Sequence, residues 1–356
     1  MTLSDACLLI ADCPHTTARD EGVGYPLVRT PNVGFGRLVY EGMHRVSKEV
    51  YDARNKRAVP MPGDLIYARE APAGNVAVIE QGEMVCLGQR TVLLRPNLSI
   101  VDPYYLAYYL LLPEHRNELV GQASGATVLH VNLADIRSLK VRFPKIDVQK
   151  RIVSVINDYY SAIANARKQI ELLEEAAMRL YREWFGNEKG EKLPFNEVCD
   201  VLYGKPHKDI ADGKIPIFGS GGVMRYGNRA KYSDESVLIP RKGTLDNIMY
   251  VDEPFWVVDT MFYTHFKIAN MTKITYFQLL NLDMCAMNTG SAVPSMTTST
   301  LSKISLLVPD AKLRRSFDEH VGRMYSLRKI LNQQIRTLTE ARDRLLPKLM
   351  SGKVTV

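Results

Sequence analysis

The sequence predicts an α+β protein in which two mixed α/β globular domains alternate with two long helices, the whole forming an internal repeat. Three observations carry that prediction. A heptad seam runs through Ile152, Ile156, Tyr159, Ile163, Ala166, Ile170, Leu173, Ala177, Leu180 and Trp184, its steps alternating four and three. The same ten positions 165 residues later hold Phe317, Val321, Met324, Arg328, Leu331, Ile335, Leu338, Arg342, Leu345 and Leu349, eight of them apolar. The run-ins match as well: Gly125 to Pro144 and Gly290 to Pro309 each span 19 residues, and Ile136 and Leu139 map onto Leu301 and Ile304. At ~1.5 Å per residue, an uninterrupted helix from Asp147 to Phe185 reaches ~55–60 Å, far beyond an ordinary globular helix.

Residues 1–143 form the first globular domain in this reading. Short β-favouring runs (Leu65–Tyr67, Val76–Ile79, Thr91–Leu94) are set apart by turns such as Met61-Pro62-Gly63-Asp64. Asp102-Pro103 opens a short helix through Leu112, with Asp as the cap and Pro in the first turn. A strand over Ser138–Phe143 leads into the first arm, 144–187, which closes on the polar stop Gly186-Asn187-Glu188-Lys189-Gly190. The second domain, 188–309, repeats the plan, with strands at Val237–Pro240, Ile248–Val251, Trp256–Val258 and Ile304–Val308. A helix is expected near Ile274–Leu282 and a loop over Asn281–Ser302. The second arm and tail occupy 310–356.

Composition bounds the function. Apolar (46%) and charged (24%) fractions are ordinary for a globular chain, and the apolar run Leu106–Leu112 is too short to span a membrane. No export signal is evident in Met-Thr-Leu-Ser-Asp, so a cytoplasmic protein without membrane partners is expected. Five scattered cysteines (Cys7, Cys13, Cys86, Cys199, Cys285) and seven dispersed histidines lack metal-ligand spacing; reduced, mostly buried thiols and no metal are expected. The net charge of +7 comes wholly from Ala311–Lys353, where 11 Lys/Arg face 4 Asp/Glu. Nucleic-acid contacts in the globular halves must therefore come from locally placed basic residues.

The globular halves carry a weaker echo of their own. Leu65-Ile66-Tyr67-Ala68-Arg69 with Asn75 resembles Leu238-Ile239-Pro240-Arg241 with Asn247, at an Arg-to-Asn spacing of six in both. Arg offers bidentate donors to guanine or phosphate, and Asn pairs with adenine. The alternative for both arginines is a scaffold ion pair repeated because the fold is repeated. Lys242 and Thr244 neighbour Arg241. Ser220, Gly221 and Gly222 supply backbone N–H groups suited to phosphate, or a plain turn. Lys205, His207, Arg225 and Arg229, and in the first half Arg29, Arg37 and Arg45, are either contacts or solvated surface charge. Tyr203, Tyr226 and Phe35 stack on bases or sugars, or else pack in the core.

On these features the chain resembles the specificity subunit of Type I restriction–modification enzymes. The resemblance rests on the globular–helix–globular–helix order, on Pro-Lys-Ile-Asp-Val-Gln-Lys-Arg-Ile (Pro144–Ile152), and on the closing Leu-Leu-Pro-Lys-Leu-Met-Ser-Gly-Lys (Leu345–Lys353). Ile215–Gly222 is also similar to the opening of a target recognition domain of that family. The resemblance implies two target recognition domains, each reading half of a bipartite site in double-stranded DNA. The arms then pair as an antiparallel coiled coil with pseudo-two-fold symmetry, setting the spacer and docking two methyltransferase subunits. Those subunits bring S-adenosylmethionine; a restriction subunit, with ATP and Mg²⁺, is a further implied partner. No cofactor is expected on this chain. Arg328 and Arg342 sit on the apolar seam, where a partner's carboxylates, or snorkelling of their long stems, must accommodate them.

Enzymatic patterns are weak. Asp102-Pro103-Tyr104-Tyr105 is one residue from the D-P-P-Y motif of amino-methyltransferases, but helix capping explains it. Asp200 with Asp212-Gly213-Lys214 imitates a Mg²⁺-nuclease triplet of the kind that arises by chance in a long chain, and no P-loop occurs. The expected function is non-catalytic DNA recognition; the alternative is a long-helix scaffold that binds only proteins.

Overall fold

The structure, a computed structural model, describes residues 1–121, 130–187 and 190–356. Gly125 of the repeated run-in and Glu188 and Lys189 of the polar stop lie outside the described residues. The chain divides into two compact units, 1–164 with 335–356, and 165–334, so that each long helix contributes to both.

The first unit runs α1 (Leu3–Ala6), β1 (Cys7–Asp12), β2 (Tyr25–Val28), β3 (Phe35–Gly36), β4 (His44–Val46), α2 (Lys48–Arg54), β5 (Leu65–Ala68), β6 (Val76–Val78), β7 (Cys86–Leu87), β8 (Thr91–Pro96), α3 (Pro103–Leu111), α4 (Pro113–Gly121), α5 (Leu133–Ser138) and the start of α6 (Ile146–Phe185). Two sheets form, in the orders β1-β8-β5-β6-β3 and β4-β2-β7. The Asp102 carboxylate accepts from the amides of Tyr104 and Tyr105, which starts α3 as expected. Seven of the nine α3 residues are buried, including Tyr105, Leu106, Tyr108 and Leu110. The expected strand over Ser138–Phe143 does not form. Ser138 ends α5, and the segment meets the N-terminal residues at one isolated antiparallel bridge, Thr2 with Lys140, through Leu3 N–H to Leu139 O (2.8 Å) and Val141 N–H to Met1 O (3.1 Å).

The second unit contains β9 (Glu191–Pro194), α7 (Phe195–Val198), β10 (Cys199–Tyr203), β11 (Asp212–Gly219), β12 (Gly222–Gly227), β13 (Ser236–Pro240), β14 (Met249–Val251), β15 (Trp256–Val257), β16 (Met261–Phe266), α8 (Thr272–Leu280), α9 (Thr298–Leu301), β17 (Ser305–Val308) and part of α10 (Ala311–Met350). Its sheets are β10-β16-β13-β14 and β12-β11-β15, with a β17-β9 pair. One turn of the segment expected as loop is helical: the Thr297 hydroxyl accepts from Thr300 N–H and caps α9.

The two units share one topology. β1, β8, β5 and β6 pair antiparallel in the order in which β10, β16, β13 and β14 do. In the smaller sheets, β2 pairs antiparallel with β4 and parallel with β7, as β11 does with β12 and β15. The roots of the arms repeat too. Gln149, fully buried, donates to Pro144 O (2.8 Å) and Ile100 O (3.0 Å) and accepts from Asp102 N–H (2.8 Å). Arg314 occupies the same place one repeat later and donates to Pro309 O (2.5 Å) and Ala269 O (3.2 Å).

Within each unit the arms pack antiparallel. In the first, Arg151 Nε donates to Val356 O (3.0 Å) and the Arg342 guanidinium lies over the Tyr160 ring (4.7 Å); Ile152 and Ile156 share a core with Leu346 and Leu349. In the second, Glu174 meets Arg328 (3.2 Å) and Phe185 meets Phe317 (5.0 Å between centroids), eleven residues apart along both helices. Burial pushes the thiols of Cys7 and Cys199 up to about 12 and that of Cys86 up to about 11, as inert core thiols require.

Lys273 is a buried charge at the start of α8, where the helix dipole disfavours a cation. Glu235 (2.9 Å) and Asp318 (2.8 Å) hold it, and the Tyr250 hydroxyl donates to Glu235 (2.7 Å). Burial opposes the ammonium charge, but the two carboxylates outweigh it and keep Lys273 above its ordinary range. Burial likewise raises Glu235, and Lys273 outweighs it, leaving Glu235 below the usual carboxylate range. Lys273→Met strands both carboxylates and should cost about 2–3 kcal/mol, the low side for a buried pair because Glu235 is partly solvated. The lysine's contribution is present at neutral pH and lost only as pH rises through its raised value. The glutamate's is present at neutral pH and lost as pH falls through its depressed value. Urea unfolding of both proteins should therefore show a constant difference from about pH 6 to 9 that shrinks below about pH 4.

Candidate nucleic-acid interface

Register places Arg69 and Arg241 at one and the same point of the repeated scaffold. Each lies two residues beyond a strand residue (Tyr67, Ile239) paired to Val92 or Phe262, and those partners face Asp12 and Tyr203 on their other side. Both amides donate at 2.8 Å to the neighbouring turn, Arg69 to Arg90 O and Arg241 to Thr260 O. Asp12 and Tyr203 thus occupy equivalent sites with opposite chemistry.

In the first unit the arginine is consumed. Arg69 is 6% exposed and donates to Asp12 (3.0 Å), to Val131 O (2.7 Å) and towards His130 Nε2 (2.5 Å). His130 pairs through Nδ1 with Glu70, which also takes Arg90 (2.8 Å). The expected nucleic-acid contact by Arg69 is corrected to the scaffold alternative, because no donor of its fork is turned outward. Asn75 is likewise internal: it donates to Val33 O (2.9 Å) and accepts from Arg116 (3.2 Å). Asn247 donates to Ser220 O (2.8 Å), so the six-residue spacing marks an asparagine that holds the loop after β2 or β11. Arg37 pairs with Glu80 and lies against the Tyr104 (5.5 Å) and Tyr160 (5.2 Å) rings, and Arg29 donates to Gly42 O (2.8 Å); both are half-buried in the first unit's own packing. Arg45 is exposed and donates to Gly24 O (2.9 Å).

In the second unit the same end of the scaffold stays open. The Arg241 guanidinium lies over the Tyr203 ring (5.3 Å) with a single donor to Asp259 O (3.2 Å). Ser220 and Gly221 make the two-residue turn of the β11–β12 hairpin, with Gly222 at φ +110°, a conformation that a side chain would strain. Gly221 and Gly222 face open space. The hairpin tip is braced by Asn247 and by the Ser220 hydroxyl packed on Gly243. A third loop joins them: Gly243 N–H donates to Pro294 O (3.0 Å) and Met296 N–H to Arg241 O (2.8 Å). Lys205, Lys242 and Thr244 are exposed around this surface, with Asp246 and Asp259. Arg225 is not part of it, because its fork is bound to His207 O (2.6 Å), Ile210 O (2.8 Å) and Asp212 (3.2 Å). Asp212 thus pairs with Arg225, and Asp200 with Lys267 (2.8 Å) on the other sheet, so the nuclease-like triplet is not assembled.

Of the two alternatives for the aromatics, core packing does not hold. Tyr203 (51%), Tyr226 (40%) and Phe35 (40%) are exposed. Met224 (58%) on β12 was missed, since nothing in the sequence separates it from a core methionine. The seam arginines find their partners inside the chain: Arg328 pairs with Glu174 over the Tyr325 ring (4.3 Å), and Arg342 pairs with Asp343 (2.7 Å) over Tyr160.

Arg69→Ala should leave Asp12 and Val131 O without their donor and cost the first unit about 2–3 kcal/mol, whereas Arg241→Ala should change stability by under about 0.5 kcal/mol. Chemical denaturation of the two variants checks this.

A sequence model of the family described as the Type I restriction modification DNA specificity domain matches residues 10–175 and 188–313, once per unit of the repeat. The chain is 22% identical to the MjaX type I restriction enzyme specificity subunit of Methanocaldococcus jannaschii, over 94% of this chain and 88% of that one. It is 21% identical to the MjaIX specificity subunit of the same organism, over 89% and 83%. The fold is similar to that of a crystallised Type I restriction–modification S subunit from M. genitalium, with a TM-score of 0.56 and 16% identity over 98% of this chain and 95% of that one. Among the described residues no helix is long and apolar enough to cross a membrane. The matched domains, the repeated scaffold and the open, mixed-polarity end of the second unit agree: the chain belongs to the Type I restriction–modification DNA specificity family and is a non-catalytic, sequence-recognising subunit.

Proposed function

We propose that the two units read the two halves of a bipartite site in double-stranded DNA, and that the long helices set the gap between the halves and dock two methyltransferase subunits. The observation that carries this reading is one scaffold bearing different chemistry at one end. An arginine neutralised by Asp12 in the first unit becomes, in the second, an arginine laid on an exposed tyrosine. A shared scaffold with different chemistry at that end is what two half-sites of different sequence require. Arg241, Lys242 and Lys205 supply donors for guanine or phosphate, and Asp246 and Asp259 supply acceptors for cytosine. The backbone amides of Ser220–Gly222 and the Thr244 hydroxyl fit phosphate positioning. Partner docking draws support from Leu172 (50%), Leu327 (44%) and Ile330 (63%), exposed on the arms within the second unit. S-adenosylmethionine belongs to the methyltransferase subunits, and ATP with Mg²⁺ to any restriction subunit.

Arg241→Ala should weaken binding of the assembled complex by about 10- to 100-fold and relax preference in one half-site while the other is unchanged, read by competition against half-site variants at fixed salt. Equal loss in both halves contradicts the assignment. Ile330→Glu should leave the melting temperature within a few degrees of wild type but abolish co-purification with the methyltransferase subunits. Unchanged co-purification rules out this part of the arm as the docking face.

A further inference from the structure

The open end of the second unit carries more apolar surface than a reader of base edges needs. Met224 (58%), Val223 (46%) and Tyr226 (40%) are exposed on β12, the edge strand of its sheet, and Tyr203 (51%) is exposed nearby. Lys205 and Lys242 are exposed on the same unit, and Arg241 lies over Tyr203. Met224 sits at an irregularity of the ladder, because Ile217 pairs with Arg225 but Phe218 pairs with Val223. A bulge of this kind aims one side chain away from the regular alternation. Beneath it the Met224 sulfur lies against Gly219, where a Cβ would stand 2.6 Å from it and push the exposed methionine side chain aside. The hairpin is also stiff, its tip being held by Asn247 at Ser220 O and by Gly243 against the Ser220 hydroxyl.

A rigid, braced hairpin with a long unbranched apolar side chain just behind its tip and cations on the same unit's surface has the form of a wedge for stacked bases. Cations draw the tip to the phosphates, and an apolar group that gains nothing from water gains contact area between two bases. We propose that Met224 enters a base step at or beside the half-site read by the second unit, so that part of this unit's specificity is for a deformable step. This rests on the DNA-recognition reading above. Pyrimidine–purine steps open most easily and are the expected targets. A protein partner covering the same strand is the competing outcome, and the flanking cations favour DNA.

The test uses the complete chain assembled with its methyltransferase subunits and duplexes carrying 2-aminopurine at successive positions through the second unit's half-site. Wild type should raise fluorescence at one step. Met224→Ala should return that step to the level of free duplex and cut the preference for a pyrimidine–purine step there from about 10-fold to about 2-fold. Met224→Leu should restore both, and co-purification with the methyltransferase should be the same for all three. Identical fluorescence profiles for wild type and Met224→Ala overturn the wedge. So does loss of the methyltransferase from the Met224→Ala complex with unaltered stacking, which reassigns the strand to protein docking. If wild type itself shows no sequence preference, the DNA-recognition reading fails rather than the wedge alone.

Discussion

Neither globular core is complete without both long helices. Ile152 and Ile156 from the first arm meet Leu346 and Leu349 from the second in one core, and Ala177 and Phe185 meet Phe317, Val321 and Tyr325 in the other. Residues roughly 130 to 200 positions apart must therefore come together before either core closes, a costly loop closure that burial of these large side chains repays. Gln149 and Arg314 then fix where each helix leaves its domain by occupying carbonyls that no helical bond can reach. The direction of each arm becomes a property of its domain's core and not of a flexible hinge.

This construction leaves one end of each scaffold free to vary. The sheets, the asparagine brace and the backbone bonds of the arginine are common to both units, so the residue opposite that arginine can change without refolding anything. With Asp12 there, the guanidinium is buried in a network that also takes up Glu70, Arg90 and His130. With Tyr203 there, it lies on a ring in contact with water and keeps unspent donors. Replacing one opposing carboxylate thus turns an enclosed arginine into an open one.

The arms were legible because a heptad seam repeated at a fixed offset fits little besides a pair of long helices, and Ile146–Phe185 and Ala311–Met350 are that pair. The strands around Leu65, Val76, Thr91, Val237 and Met249 were legible from β-branched runs between turns. The short strands β2, β4 and β7 were harder, because they are set by pairing partners distant in sequence. The site was half legible. The Arg-to-Asn echo marks one equivalent point of the two scaffolds, but spacing cannot say that Asp12 closes one arginine while Tyr203 leaves the other open. The surroundings of the seam arginines were illegible for the same reason, since Glu174 and Tyr160 become their neighbours only once the helices pair. Exposure of Met224 arises from a ladder irregularity that no local pattern announces.

The central claim is a division of labour in which two units on a duplicated scaffold each recognise their own sequence. Mapping every methylated site in the genome of a host that carries this chain with its methyltransferase subunits tests it most directly. The result expected is one two-part motif, its halves unrelated in sequence and separated by a constant gap of unspecified bases. A single uninterrupted motif, or a gap that varies from site to site, would contradict it.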